Sequence, residues 1–247
     1  LPASEKMSEG VVTLNGATYA VKDSRLVRIE SGKPIPVLAF GRHGLPDEEV
    51  RDIAVSPDGE LYVATASGIG ILSNEGKWRH LTGRNGGLPV DDVTCLSFAA
   101  DGTLWVGTKV GAARRQPNGE WNYRMGSRWM IGDEVIDIVA TSDGGAYILT
   151  PKSLTHLFTR KMTLREKAKL YDAIVQARHI RHGAVTDCNL RDINDLSSWY
   201  MTDNDNDGLW TSFYVGAKCF EYAATKDPEA KRTAKQHFDF MHRLERI

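Results

Sequence analysis

The clearest order along the chain is a set of short apolar stretches that return in the same succession at a constant interval. Val50, Ile53 and Val55 form one stretch, Leu61, Tyr62 and Val63 a second, and Ile71 and Leu72 a third, opened by Gly68 and Gly70. Trp78 and His80 mark a fourth, amphipathic stretch. Asp58-Gly59 and Asn74-Glu75-Gly76 separate neighbours, and such residues accept the positive φ values that tight hairpins require. Short runs rich in branched and aromatic side chains, bounded by turn residues, predict strands. Each unit is therefore expected to be four antiparallel strands.

The unit repeats. Leu45-Pro46 returns as Leu88-Pro89, Asp58-Gly59 as Asp101-Gly102, Thr65 as Thr108 and Trp78 as Trp121. Asp143-Gly144 lies one interval further on and Asn15-Gly16 one interval back, which predicts four copies, the first truncated at its front. A four-stranded unit recurring at about 43 residues is the mark of propeller blades, which bury each other's faces radially. A β-sandwich made of the same hairpins is the structural alternative, but it does not require self-similarity at a fixed period. The expected blades span residues 11–40, 41–82, 83–124 and 125–160. Trp78, Trp105, Trp121 and Trp129 are assigned to packing between them.

After Leu157 the apolar period lengthens from two to 3.6. Thr163 with Glu166 three places on forms a capping box, Leu164, Ala168, Tyr171, Ile174 and Val175 recur at helical spacing, and Gly183 supplies a stop. That predicts one helix of about 19 residues. A loop from Thr186 to Gly208 leads to a second helix, with Leu209, Phe213, Ala217, Phe220 and Ala224 as its apolar stripe. Asp227-Pro228 opens a third. Ala230, Ala234, Phe238, Met241 and Leu244 are expected to face inward on it. The division is thus residues 1–160 as repeats and 161–247 as an incomplete α-helical domain.

Composition narrows the function classes. With 41% hydrophobic residues the chain can bury a substantial core, and 31 basic against 32 acidic residues leave a formal charge of −1. A nucleic-acid binder's basic footprint is absent, and no apolar run is long enough for a membrane-spanning helix. Three cysteines make no disulfide framework. Either Cys188 pairs with Cys219, leaving Cys95 buried in a strand, or all three are reduced thiols in the core.

Val93 to Gly111, and more loosely Val50 to Gly68, resemble the two-component regulator propeller repeat. That family is common in sensor ectodomains of bacterial hybrid kinases and in exported carbohydrate-related proteins, so the resemblance implies an extracellular or periplasmic location. Such repeats usually close as larger rings, which implies that the missing blades lie elsewhere, for instance in a second chain of the same precursor completing both propeller and helical domain. The segment from Asp203 to Tyr214 resembles the start of an inner helix in the (α/α) toroids of polysaccharide lyases and glycosidases, where acidic and aromatic side chains line a sugar cleft.

The candidate chemistry sits in the second part. Asp203, Asp205 and Asp207 read as the front half of a calcium loop, although Tyr214 stands where an EF-hand carries its closing glutamate. The same carboxylates also suit a helix N-terminus. A third reading is catalytic: Asp207, Trp210 and Tyr214 share one helix face, opposite the stripe of Leu209 and Phe213, and a carboxylate beside two rings suits a sugar. The alternative is that both rings simply pack between helices. His179 and His182, with Arg178 beside them, fit a lyase site in which a base removes a proton beside a neutralised carboxylate; a helix C-terminus favours such residues equally. Trp199 and Tyr200 are added as substrate contacts. The leading expectation is an exported carbohydrate-active protein, a lyase or glycosidase on an acidic polysaccharide. The rival is a non-catalytic ligand-binding or scaffolding propeller, as in sensor ectodomains.

Overall fold

Each repeat folds around its own turns. The computed structural model describes residues 10–41, 44–202 and 204–245. The first sheet comprises β1 (Val11–Leu14), β2 (Ala17–Lys22), β3 (Arg25–Glu30) and β4 (Lys33–Pro36), and the front at which truncation was expected lies outside the described residues. The second comprises β5 (Val50–Val55), β6 (Leu61–Thr65), β7 (Gly68–Leu72) and β8 (Trp78–Leu81). The third comprises β9 (Val93–Phe98), β10 (Leu104–Thr108), β11 (Gly111–Arg115) and β12 (Trp121–Arg124). The fourth has three strands, β13 (Asp137–Ala140), β14 (Ala146–Leu149) and β15 (Leu154–Leu157). All neighbours within a sheet are antiparallel and consecutive in sequence.

The recurring T-x-x-G has a physical cause. Thr65 and Thr108 are fully buried, and each hydroxyl donates to the carbonyl of the glycine three residues on, Gly68 or Gly111, at 2.7 Å. Those glycines have φ of 122° and 128°, where L side chains are strained, and a Cβ on Gly111 would stand 2.5 Å from the Arg124 carbonyl oxygen. Thr108 Oγ1 also accepts from the Val110 N–H at 3.2 Å. Thr108→Val should therefore lower stability by about 1–3 kcal/mol through two unsatisfied groups. Urea unfolding checks this, and an unchanged midpoint counts against the clasp.

Successive sheets share three apolar clusters. Leu14, Tyr19, Val21 and Leu26 pack with Val50, Ile53, Leu61 and Val63; Tyr62, Ala64, Ile69 and Ile71 pack with Val93, Leu96, Leu104 and Val106; Trp105 and Ala112 pack with Val135, Ile138, Ala146 and Ile148. The first strands adjoin in series, β1 beside β5, β5 beside β9 and β9 beside β13. Polar ties run along them. The Leu96 N–H donates to Asp52 Oδ2 at 2.7 Å, and the Ala140 N–H donates to Ser97 Oγ at 2.9 Å. Trp105 is buried and its Nε1 donates to the Gly144 carbonyl at 3.2 Å; Trp78 and Trp121 are half-buried at cluster edges. Trp129 departs from the expectation: it is exposed, with Arg124 4.4 Å from its ring.

Contacts divide the chain into Leu1–Arg160 and Lys161–Ile247. The second unit holds α1 (Leu164–Arg178), α2 (Asp207–Thr225) and α3 (Pro228–Leu244). It also holds two hairpins, β16 (Ile180–Arg181) with β17 (Ala184–Val185) and β18 (Asp187–Leu190) with β19 (Trp199–Thr202), which an all-helical reading did not contain. The Thr163–Glu166 capping box and the Asp227 cap before Pro228 are both formed. The first helix is 15 residues long and stops at His179. His182 and Gly183, at φ 53° and 100°, turn the first hairpin instead of ending the helix. Three helices interrupted by hairpins are what the second unit shows, and the start of a toroid that the resemblance implied is not supported by them.

Helical burial also differs from the stripe. Leu209, Phe213, Phe220, Phe238 and Leu244 are exposed, and the buried side of α2 carries Thr211 and Lys218. On α3 the buried residues are Ala230, Thr233, Ala234 and His237.

Candidate functional site

Around α2 the polar residues satisfy one another. Tyr214 Oη donates to Asp172 Oδ1 at 2.5 Å and accepts from Gln176 Nε2 at 2.6 Å, both on α1. Lys218 Nζ lies 2.8 Å from Asp172 Oδ2 and 2.8 Å from Glu221 Oε2. Burial works against the Lys218 ammonium, but the two carboxylates outweigh it and hold its pKa above the ordinary value. Burial, reinforced by Asp172, pushes the Tyr214 phenol well above its usual range. At neutral pH that phenol keeps its proton and gives its hydrogen bond to Asp172. The ring stands edge-on to His237, centroids 5.0 Å apart, and His237 Nδ1 meets the Gly183 carbonyl at 2.8 Å.

The other expected residues disperse around this clasp. His179 caps α1 and its Nδ1 meets the Thr186 carbonyl oxygen at 3.0 Å, whereas His182 is exposed at the hairpin turn, off the helix. Arg178 is half-buried with its Nε unpartnered among the described residues. Asp207 opens α2 with Oδ2 3.6 Å from Arg181 and a buried, unbonded Oδ1. Trp210 lies beside Phe213, ring centroids 6.5 Å apart, so the expected opposition of the two is not found. His179, Trp210 and Tyr214 do line one shallow depression of about 390 Å³ with Val175, Thr186 and Phe213; Asp207, Arg178 and His182 do not line it. Trp199 and Tyr200 are exposed on β19, with Arg191 5.1 Å from the Tyr200 ring.

Only part of the carboxylate triplet is placed. Asp205 is exposed, Asp207 faces a guanidinium, and Asp203 lies outside the described residues. Among the described residues no three acidic, histidine or cysteine groups converge for a metal. The described cysteines are free: Cys95 buried, Cys188 half-buried and Cys219 exposed, so neither the Cys188–Cys219 pair nor a trio of core thiols is formed.

Sequence spacing did not point to a cleft between the second and third sheets. It encloses about 420 Å³ and is lined by Tyr62, Phe98, Asp58, Asp101, Arg115 and Gln116, among others. Tyr62 and Phe98 meet edge to face at 4.9 Å. Burial raises the Tyr62 phenol pKa. Arg115 Nε is buried without a partner among the described residues. The only advance signal was the recurrence of Asp58-Gly59 as Asp101-Gly102, which places both turns at corresponding edges of adjoining sheets.

Comparison with known proteins agrees with the architecture. The family described as the two component regulator propeller matches residues 87–109. No curated protein matches the chain. Among solved structures, the extracellular domain assigned to a hybrid two component system of B. thetaiotaomicron aligns with TM-score 0.51 and 20% identity, over 64% of this chain and 24% of that one. A streptogramin B lyase aligns with TM-score 0.44 and 16% identity, over 64% of this chain and 54% of that one. PorZ, a surface component of the type-IX secretion system of Porphyromonas gingivalis, aligns with TM-score 0.40 and 18% identity, over 81% of this chain and 23% of that one. The chain thus spans about half or less of these proteins. At such identities the likeness establishes the fold alone: the first unit is a partial β-propeller.

Proposed function

We propose that the chain is a non-catalytic, ligand-binding part of an exported propeller protein, working outside the cytoplasm, and that its ligand sits between the second and third sheets. The cleft carries this reading. Tyr62 and Phe98 give it an apolar wall, Asp58 and Asp101 accept hydrogen bonds, and Arg115 and Gln116 donate them. Such a set suits the hydroxyls and apolar faces of a neutral oligosaccharide. Two carboxylates against one guanidinium disfavour a polyanion, which turns the ligand away from the acidic polysaccharide first expected. Support against catalysis comes from the second unit, where Tyr214 is protonated and bound, and Asp207, Arg178 and His182 stand apart from the depression lined by His179 and Trp210.

Titration of the chain with cello-, xylo- and malto-oligosaccharides, followed by NMR shifts of Tyr62 and Phe98 resonances, tests the reading. One neutral series should perturb them, and Arg115→Ala should weaken its binding about tenfold, the effect of one charge-assisted hydrogen bond. Oligogalacturonate should bind less well. Perturbation centred on Trp210, or unsaturated products absorbing in the ultraviolet, would favour the lyase reading instead.

A further inference from the structure

The third sheet departs from its own repeat at two positions. Strand register fixes the equivalence: one aromatic position per sheet, Tyr19, Tyr62, Trp105 and Tyr147, stands opposite Arg28, Ile71, Arg114 and His156 on the following strand. Arg28 is ion-paired with Glu30, Ile71 is buried in an apolar cluster, and His156 stacks on Tyr147. On the outermost strand, Leu81 of the second sheet is buried opposite Ile69, and its counterpart in the third sheet is Arg124, opposite Ala112. Two positions that are apolar core in the second sheet are therefore both guanidinium in the third.

The two arginines share one face of the sheet, since Arg124 pairs with Ala112, two residues before Arg114 on β11. Arg114 donates to Thr159 Oγ1 at 3.1 Å and to Asn122 Oδ1 at 3.2 Å and lies 5.8 Å from the Trp105 ring, while its Nε is buried and unbonded among the described residues. Arg124 donates to the Tyr123 carbonyl at 2.9 Å and sits 4.4 Å from the Trp129 ring, with Arg128 5.6 Å from the same ring. The turn that carries Trp129 is anchored by buried Met130 and by the Gly126 N–H, which donates to Asp133 at 2.6 Å. Among the described residues none of these three guanidiniums forms an ion pair. Burial, and then the neighbouring Arg114, hold the Arg124 pKa below its ordinary value. Like charges gathered on one face without a counter-charge cost free energy, and a bound anion recovers it.

We propose that Arg114, Arg124, Arg128 and Trp129 form a second ligand site, which takes a phosphate dianion, free or as a monoester. Guanidiniums present paired N–H donors that match phosphate oxygens. A phosphomonoester carries about −1.5 to −2 charges at neutral pH, enough to neutralise Arg114 and Arg124 together, whereas a carboxylate or a sulfate ester brings a single charge. The exposed Trp129 ring offers an apolar edge to the remainder of an ester. Arg114 and Arg115 alternate along β11, so this site and the oligosaccharide cleft use opposite faces of the third sheet. The phosphate site therefore stands or falls independently of the cleft.

Calorimetric titration of the full chain at low salt with inorganic phosphate, phenyl phosphate, phenyl sulfate and benzoate tests the site. Both phosphates should bind saturably at about millimolar concentration or below, and the two monoanions at least about tenfold more weakly. Phenyl phosphate binding more tightly than inorganic phosphate identifies an ester as the ligand, and equal affinities identify free phosphate; either supports the site. Arg114→Ile combined with Arg124→Leu installs the residues of the second sheet, and should abolish phosphate binding without lowering the melting temperature. Arg128→Gln changes an exposed side chain, should leave the fold intact and should weaken binding about threefold. The NMR resonances of Tyr62 and Phe98 should not move with phosphate, which separates this result from that of the cleft. The proposal is overturned by no saturation up to about 10 mM phosphate. It is equally overturned by monoanions that bind as tightly as the phosphates, or by variants that bind like the parent.

Discussion

Trp105→Ala should lower stability by about 3–5 kcal/mol, whereas Tyr147→Ala should cost under about 1 kcal/mol. The two residues hold the same place in successive repeats, so strand propensity and local sequence context are closely matched. What differs is the neighbour. Trp105 is covered by Ile138, Ala146 and Ile148 of the next sheet and bonds the Gly144 carbonyl. Its removal opens a large cavity between two sheets and strands a buried acceptor. Tyr147 has no such cover, only the stacked ring of His156. Urea unfolding followed by far-ultraviolet circular dichroism measures both. Equal costs would mean that the sheets do not close over one another in chain order.

The thiols should differ even more in rate. Burial pushes the Cys95 thiol up to about 12 from an ordinary value of 9.0, while Cys219 is exposed on α2. At pH 8 a shift of that size leaves about a thousandfold fewer thiolates, and the thiolate is the reacting species. Burial adds steric protection. With a disulfide reagent, Cys219 and Cys188 should react at once and Cys95 only as the protein unfolds. The raised folded pKa has a consequence for stability too. The contribution is intact below about 9 and declines as pH rises towards about 12, because the unfolded thiol ionises first. Three thiols of equal rate would contradict the burial of β9.

Much of the first unit could be read before its structure was known. The strands of the second and third copies fall where the apolar runs and turn pairs placed them, because each hairpin is local and the repeat doubles the signal. The change of period after Leu157 marked where the chain leaves the sheets, but not that the fourth copy stops at three strands, since the repeat itself predicts a fourth. Two-residue strands such as β16 and β17 have no period to detect, and Gly183 was therefore read as a helix stop when it serves a turn. On α2 the 3.6-residue stripe was real, but periodicity alone does not say which face is covered. Lys218 is buried because Asp172 and Glu221 meet it, a partnership set by tertiary contact across α1 and α2. The candidate cleft was hidden for the same reason: Tyr62, Phe98 and Arg115 come from three strands of two sheets and share no spacing.

Hydroxyl-radical footprinting of the tyrosines tests the central arrangement most directly. Tyr19, Tyr62 and Tyr147 are the same residue type at one repeat position, so their intrinsic reactivities are equal. The face-to-face series predicts that Tyr147 is modified rapidly while Tyr19 and Tyr62 are protected. Comparable modification of Tyr62 and Tyr147 would show that the second sheet is not closed by the third, and the propeller account would fail.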